Sequence, residues 1–116
     1  MVDAFLAAAR DGDFDALLAV LDPDVVVRAD RGAVPSGASR EARGAPAVAE
    51  QALSYSWLAR FAQPALVNGA AGVIVARGGR PFSVMGFTIR GGRIVEIDIL
   101  ADPERLRQLD LAVLDD

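Results

Sequence analysis

Apolar residues change their spacing along this chain, and each change predicts a different kind of element. Val2, Phe5, Leu6 and Ala9 recur at helical spacing, which predicts an amphipathic helix over 2–10. Asp11-Gly12-Asp13 interrupts it: Gly12 suits the left-handed end of one helix and Asp13 the N-cap of the next. Phe14, Leu17, Leu18 and Leu21 resume helical spacing, so a second short helix is expected to about Leu21. After the turn Asp22-Pro23-Asp24 the period drops to two. Val25, Val27 and Ala29 alternate with Asp24, Val26, Arg28 and Asp30, a strand with one apolar face. Arg31 to Ala45 has no period and reads as a long loop, a feature that in compact domains tends to be functional or disordered. Pro46 opens a third helix to about Phe61, with Val48, Leu53 and Trp57 on its apolar side and Tyr55 and Leu58 near it. Gln63-Pro64 stops it, because proline disfavours helix in the residue before it.

A short strand near Ala65 to Asn68 leads into the most strongly patterned stretch, Gly69 to Asp110. Three β-branched runs are separated there by Gly78-Gly79 and Gly91-Gly92, each flanked by arginines. A Gly-Gly pair supplies the positive φ of a tight hairpin, so the stretch predicts a three-stranded antiparallel meander. Asp102-Pro103-Glu104 then reads as a helix start, followed by a helix to about Leu109 and an apolar tail of Leu109, Leu111, Val113 and Leu114. The order of elements predicts an α+β fold, a cone-shaped curved antiparallel sheet packed on N-terminal helices. The interior of such a cone is apolar and suits a small molecule.

At 116 residues the chain is expected to form a single domain, 1–116. A net charge of −4 argues against direct binding of nucleic acid. The chain has no cysteine and no histidine. That removes disulfides, a thiol nucleophile, a Ser-His-Asp triad, a histidine base and a histidine zinc site; no metal and no cofactor is expected. No apolar run approaches the roughly 20 residues of a membrane span, and the start of the chain does not read as a signal peptide, so a cytoplasmic protein is expected.

The helix-Gly-Asp-helix opening (Phe5-Leu6 through Asp11-Gly12-Asp13-Phe14), followed by Leu21-Asp22-Pro23-Asp24-Val25, resembles the nuclear-transport-factor-2-like superfamily, which includes ketosteroid isomerases and SnoaL-type polyketide cyclases. Asn68 to Val73, Phe87-Thr88, Gly92 to Asp98 and Asp102 to Leu106 are most similar to the SnoaL-like C-terminal domain of extracytoplasmic-function RNA polymerase sigma factors. The resemblance implies a regulatory domain that tunes transcription initiation by contact with the promoter-binding domains or RNA polymerase. Asp102, Pro103, Glu104, Arg105 and Leu106 would carry the contact. A glycine-rich motif of that family is only partly kept, as Asp30-Arg31-Gly32-Ala33-Val34. The resemblance also implies a pocket for a small apolar ligand, with Phe5, Tyr55, Trp57 and Phe87 as its candidates, and a homodimer is compatible with it.

The same resemblance leaves an enzyme of the isomerase or cyclase type open, with Asp30 or Asp98 as the carboxylate base, and a non-catalytic ligand-binding dimer. Asp30 falls where ketosteroid isomerases place their base. The tyrosine and acidic oxyanion positions of those enzymes correspond to Phe5 and to the neighbourhood of Ser83, so that set is incomplete. Each candidate also has a purely structural reading. Asp30 would cap its own turn, Tyr55 and Trp57 would be core, and Asp102 would be an N-cap. Glu96 and Asp98, which share an alternation phase with Ile94 and Leu100, would line a solvated face and pair with Arg90 or Arg93. The two Arg-Gly-Gly-Arg segments fit hairpin turns better than RNA-binding repeats.

Overall fold

The computed structural model describes residues 2–30, 39–54, 61–67, 69–77, 80–101 and 111–113; of 30, 39, 40, 77, 80–82 and 111–113 only the backbone is described. The chain runs α1 (Val2–Asp11), α2 (Phe14–Val20), β1 (Leu21–Asp30), β2 (Ser39–Arg43), α3 (Ala45–Ser54), β3 (Ala62–Val67), β4 (Ala70–Arg77), β5 (Arg80–Arg90), β6 (Arg93–Leu100) and β7 (Leu111–Val113). The strands form one curved, unclosed sheet in the order β2-β1-β6-β5-β4-β3-β7.

The Gly-Asp corner between the first two helices follows from local chemistry. Gly12 takes φ +65°, a conformation that costs glycine nothing. The amide of Gly12 donates to the Ala9 carbonyl at 3.3 Å, and that of Asp13 to the Ala8 carbonyl at 3.0 Å, the paired bonds of a Schellman ending. The Asp13 carboxylate then accepts from the Ala16 amide at 3.1 Å and starts α2. One dipeptide therefore ends one helix and begins the next.

The meander forms as its glycines predict. Gly91 and Gly92 take φ +61° and +77°, positive at both central positions as a two-residue type I′ turn requires. Arg90 pairs with Arg93 across it. Gly72 faces Gly86 in the β4–β5 ladder, but the two differ. A Cβ on Gly72 would lie 2.5 Å from the Met85 carbonyl oxygen, whereas one on Gly86 would meet nothing within 4 Å.

Three expectations need correcting. The sheet is mixed, because β1 lies parallel to β6, with Val27 opposite Ile97 and Arg28 opposite Asp98. The stretch expected as loop from Arg31 to Ala45 contains β2, which pairs antiparallel with β1 from Val26–Arg43 to Asp30–Ser39. The apolar tail, to which the pattern assigns no element, contains a strand: Leu111–Val113 pairs with the edge of β3. The third helix is described to Ser54, and the helix expected from Pro103 to Leu109 lies outside the described residues.

The helices cover one face of the sheet. Phe5, Ala8, Leu17, Val48 and Ala49 meet Val25, Val27, Ile94 and Ile97 in the main core. Val2 and Leu6 meet Ala62, Val73 and Val75 beside it. Met85 and Phe87 pack against both groups and join them. Ala65, Ile74 and Val84 form a smaller buried cluster from positions of the opposite alternation phase. This explains why β4 reads as a continuous apolar run: Val73, Ile74 and Val75 are all buried.

The glycine contrast gives a stability prediction. Gly72→Ala should lower the free energy of unfolding by about 1–3 kcal/mol, because the new methyl meets backbone that cannot step aside. Gly86→Ala should change it by less than about 0.5 kcal/mol. Urea titration of the two variants checks this, and equal effects would contradict the packing described.

Candidate functional site

The singled-out residues whose side chains are described fall in two places, one on each face of the sheet. Under the helices, Phe5 is buried and its ring meets that of Phe87 edge to face, with centroids 5.4 Å apart and planes at 65°. Helical spacing on α1 turns Phe5 inward beside Leu6, and strand alternation on β5 turns Phe87 toward the same interior. The contact is a favourable aromatic geometry worth about 0.5–1.5 kcal/mol beyond the area it buries. Tyr55 and Trp57, the other pocket candidates, lie outside the described residues, as do Asp102, Pro103, Glu104, Arg105 and Leu106.

The face away from the helices carries charge. Arg28 of β1 stands in register between Glu41 of β2 and Asp98 of β6. Its Nε lies 3.6 Å from Glu41 Oε2 and its Nη1 3.7 Å from Glu96 Oε1. Arg43 Nε donates to Glu41 Oε1 at 2.7 Å. These groups are well solvated, so each pair stabilises the fold by no more than about 1 kcal/mol. Their arrangement matters more than their strength. Three carboxylates share two guanidiniums, leaving an acidic excess on β6.

Asp98 shows the effect of that excess. Partial burial, a hydrogen bond with Glu96 and the negative charge of Glu96 push its carboxyl up to about 6, while Arg28 pulls the other way. The side chain is exposed, so water screens part of the effect. A carboxyl in this range can take up or release a proton near neutral pH.

Of the two readings of Glu96 and Asp98, a pair inside the cone and a pair on a solvated face beside Arg90 or Arg93, the structure has the solvated face but a different arginine. The structure supplies Arg28, because the parallel β1–β6 pairing places it there. Ile94 does not share the face of Glu96 and Asp98. The β5–β6 register shifts between Thr88 and Ile89, and Ile94 is fully buried in the main core with Ile97. Glu41 was missed altogether, since it lay in a segment with no apolar period. Asp30 ends β1 opposite Ser39 and Leu100, in the same alternation phase as Arg28; its side chain is outside the described set. Among the described residues no group of three or more acidic side chains could hold a metal ion, and no helix is long and apolar enough to cross a membrane.

No family model and no curated protein matches the chain. Solved structures do. The extracytoplasmic-function sigma factor SigJ of Mycobacterium tuberculosis is similar over 91% of this chain, with 27% identity and a TM-score of 0.72. A protein of Sinorhizobium meliloti assigned as a polyketide cyclase is similar over 84% of this chain and 91% of its own, with 26% identity and a TM-score of 0.55. A designed protein with a curved β-sheet shares the fold over 92% of this chain at 18% identity, with a TM-score of 0.59. The chain has the nuclear-transport-factor-2-like fold. It spans 43% of the length of SigJ.

In this fold the Phe5–Phe87 pair lies between the helices and the sheet and the Arg28–Asp98 group lies on the opposite face of the sheet. The raised proton affinity of Asp98 has a measurable consequence. The folded state holds that proton more tightly than the unfolded chain, whose carboxyl has the ordinary value of 3.8. The stability it contributes is full below about pH 4 and is lost as pH rises through about 6. Asp98→Asn should therefore raise the unfolding temperature above pH 6 and leave it nearly unchanged at pH 4, flattening the stability profile between. A thermal melt series across that range checks it; a lower melting temperature for the variant at pH 7 would contradict the assignment.

Proposed function

We propose that this chain is the regulatory SnoaL-like domain of an RNA polymerase sigma factor and modulates transcription initiation through protein contacts. The observation that carries the reading is the likeness to SigJ, whose TM-score of 0.72 stands well above the 0.55 found for the cyclase at nearly the same identity. In this reading residues 1–116 make one domain, acting in the cytoplasm beside the promoter-binding domains. Asp102, Pro103, Glu104, Arg105 and Leu106 supply the contact to them. In that segment Asp102 is a residue type suited to an N-cap, and Leu106 is the one suited to an apolar anchor. The interior near Phe5 and Phe87, with Tyr55 and Trp57, is the place where a small apolar ligand would tune the contact.

A second reading has an observation of its own. Partial burial and Glu96 push the Asp98 carboxyl up to about 6, a direction that suits a general base, and the Sinorhizobium protein assigned as a cyclase is 26% identical. An isomerase or cyclase would use Asp98 or Asp30 as base. A dimer that binds a ligand without turnover is its non-catalytic counterpart.

A chimera separates these readings. SigJ with its matching segment replaced by this chain should direct transcription differently from SigJ lacking the segment. Leu106→Ala and Asp102→Ala in the chimera should move it several-fold toward the truncated protein. A chimera indistinguishable from the truncation, or insensitive to both changes, overturns the regulatory proposal. Turnover of a polyketide or ketosteroid substrate that is lost in Asp30→Asn or Asp98→Asn, with the fold intact, would establish the enzyme instead.

A further inference from the structure

One guanidinium is shared by two strands. Arg28 of β1 has Glu41 of β2 opposite it on one side and Asp98 of β6 on the other. Its Nε lies 3.6 Å from Glu41 Oε2 and its Nη1 3.7 Å from Glu96 Oε1, so it braces both neighbours at nearly equal range. Glu41 has a second and closer partner on its own strand, since Arg43 Nε donates to it at 2.7 Å. Glu96 and Asp98 differ in this respect. Among the described residues Arg28 is the cation that pairs with Glu96 and acts on Asp98. From β5 they meet Thr88 and Gly86, neither of them charged. Asp30 stands on β1 in the alternation phase of Arg28, and its side chain is outside the described residues. The strand on the far side of this group, β2, is the margin of the sheet and is paired with β1.

The charge balance of the group turns on a single proton. When Glu96 and Asp98 hold one proton between them, two carboxylates face two guanidiniums. When both are ionised, three carboxylates share the same two, and two of the three stand on β6. Arg43 stays with Glu41 at short range, so the guanidinium free to move is the exposed Arg28. Attraction rises as charge accumulates on one side of it, and a small rotation takes it from Glu41 toward β6. We propose that Arg28 is a proton-operated latch on the edge strand: it braces β2 against β6 while the Glu96–Asp98 pair keeps a proton, and turns to β6 and loosens β2 when that proton leaves. The sign follows from the carboxyl involved. Partial burial, then the hydrogen bond and charge of Glu96, raise Asp98 from 3.8 to about 6, so the brace is complete below about pH 4 and is lost as pH rises through about 6. These groups are solvated, so the latch changes local opening several-fold, and the backbone ladder keeps β2 in the sheet. The latch uses no residue of Asp102–Leu106, so it holds or fails independently of the sigma-factor reading.

The test is amide hydrogen exchange of the whole chain at about pH 5 and about pH 7.5, with each rate divided by that of an unstructured peptide at the same pH. The readout is the set of β2 amides whose exchange does not respond to dilute urea, because these open locally and not with the whole molecule. They should open about two- to fivefold more readily at the higher pH. Two variants should fix the latch in opposite states. Asp98→Asn cannot ionise, so β2 should stay braced at both pH values. Arg28→Gln has no brace to lose, so β2 should open at both as the wild type does at the higher pH. A merely structural loss would not remove the pH dependence in both directions. Coupling is reciprocal, so Glu41→Gln, which releases Arg28 to β6, should lower the pH at which the Asp98 carboxyl carbon titrates by NMR. The proposal is overturned if β2 opens only with the whole molecule, if its local opening is the same at both pH values, if the dependence survives in either Asp98→Asn or Arg28→Gln, or if Asp98 titrates unchanged in Glu41→Gln.

Discussion

Parallel pairing of β1 with β6 is the constraint on which the rest of the structure depends. Leu21 lies beside Ile94 and Val27 beside Ile97, so the first strand of the chain is held against the last strand of the meander. Closing so long a loop costs roughly 4 kcal/mol of chain entropy, and no turn can lower that cost. It is offset by burial, because Leu21, Val25, Ile94 and Ile97 are almost wholly removed from solvent and meet Leu17, Val48 and Ala49 above them. Without this junction β1 and β2 would be cut off from the other five strands and the main core would lose one of its walls.

The same junction arranges both faces. Inward, it brings Val27 and Ile97 under α1 and α3, next to the Phe5–Phe87 contact. Outward, it sets Arg28 against Asp98 and within reach of Glu96 and Glu41. The charged group is thus a by-product of a packing solution, and the shortage of cations in it raises the proton affinity of Asp98. Its position on the exposed side of the sheet keeps it apart from the concave apolar interior.

What could be read from the sequence was whatever is decided locally. Gly12-Asp13 announces a helix end and a helix start because only neighbouring amides are involved. Gly91-Gly92 announces a hairpin because φ alone decides it. The burial of Val25, Val27 and Ala29 follows from alternation. By contrast, β2 reads Ser-Arg-Glu-Ala-Arg and has no apolar period, since an edge strand with a charged face is held by its backbone ladder and by Arg28 and Arg43 rather than by burial. The parallel junction leaves no mark in either strand's own pattern, so the pairing of Glu96 with Arg28 was out of reach. Ile94 was misplaced because a register shift inverts the alternation between Ile94 and Glu96. The interface residues proposed from family resemblance, Asp102 to Leu106, follow from motif rather than from any periodicity.

The short strand β7 has a consequence for how the molecule ages. Leu111–Val113 pairs with Ala65–Val67 and closes the side of β3 that would otherwise present open amides and carbonyls. The opposite margin of the sheet is guarded by the charges of β2. Clipping by a protease upstream of Leu111 would bare the apolar stretch Ala65-Leu66-Val67 of β3, which has no proline to interrupt its donors. Strands of that kind recruit one another, so loss of a few residues from the tail would convert a self-contained sheet into a seed for edge-to-edge aggregation.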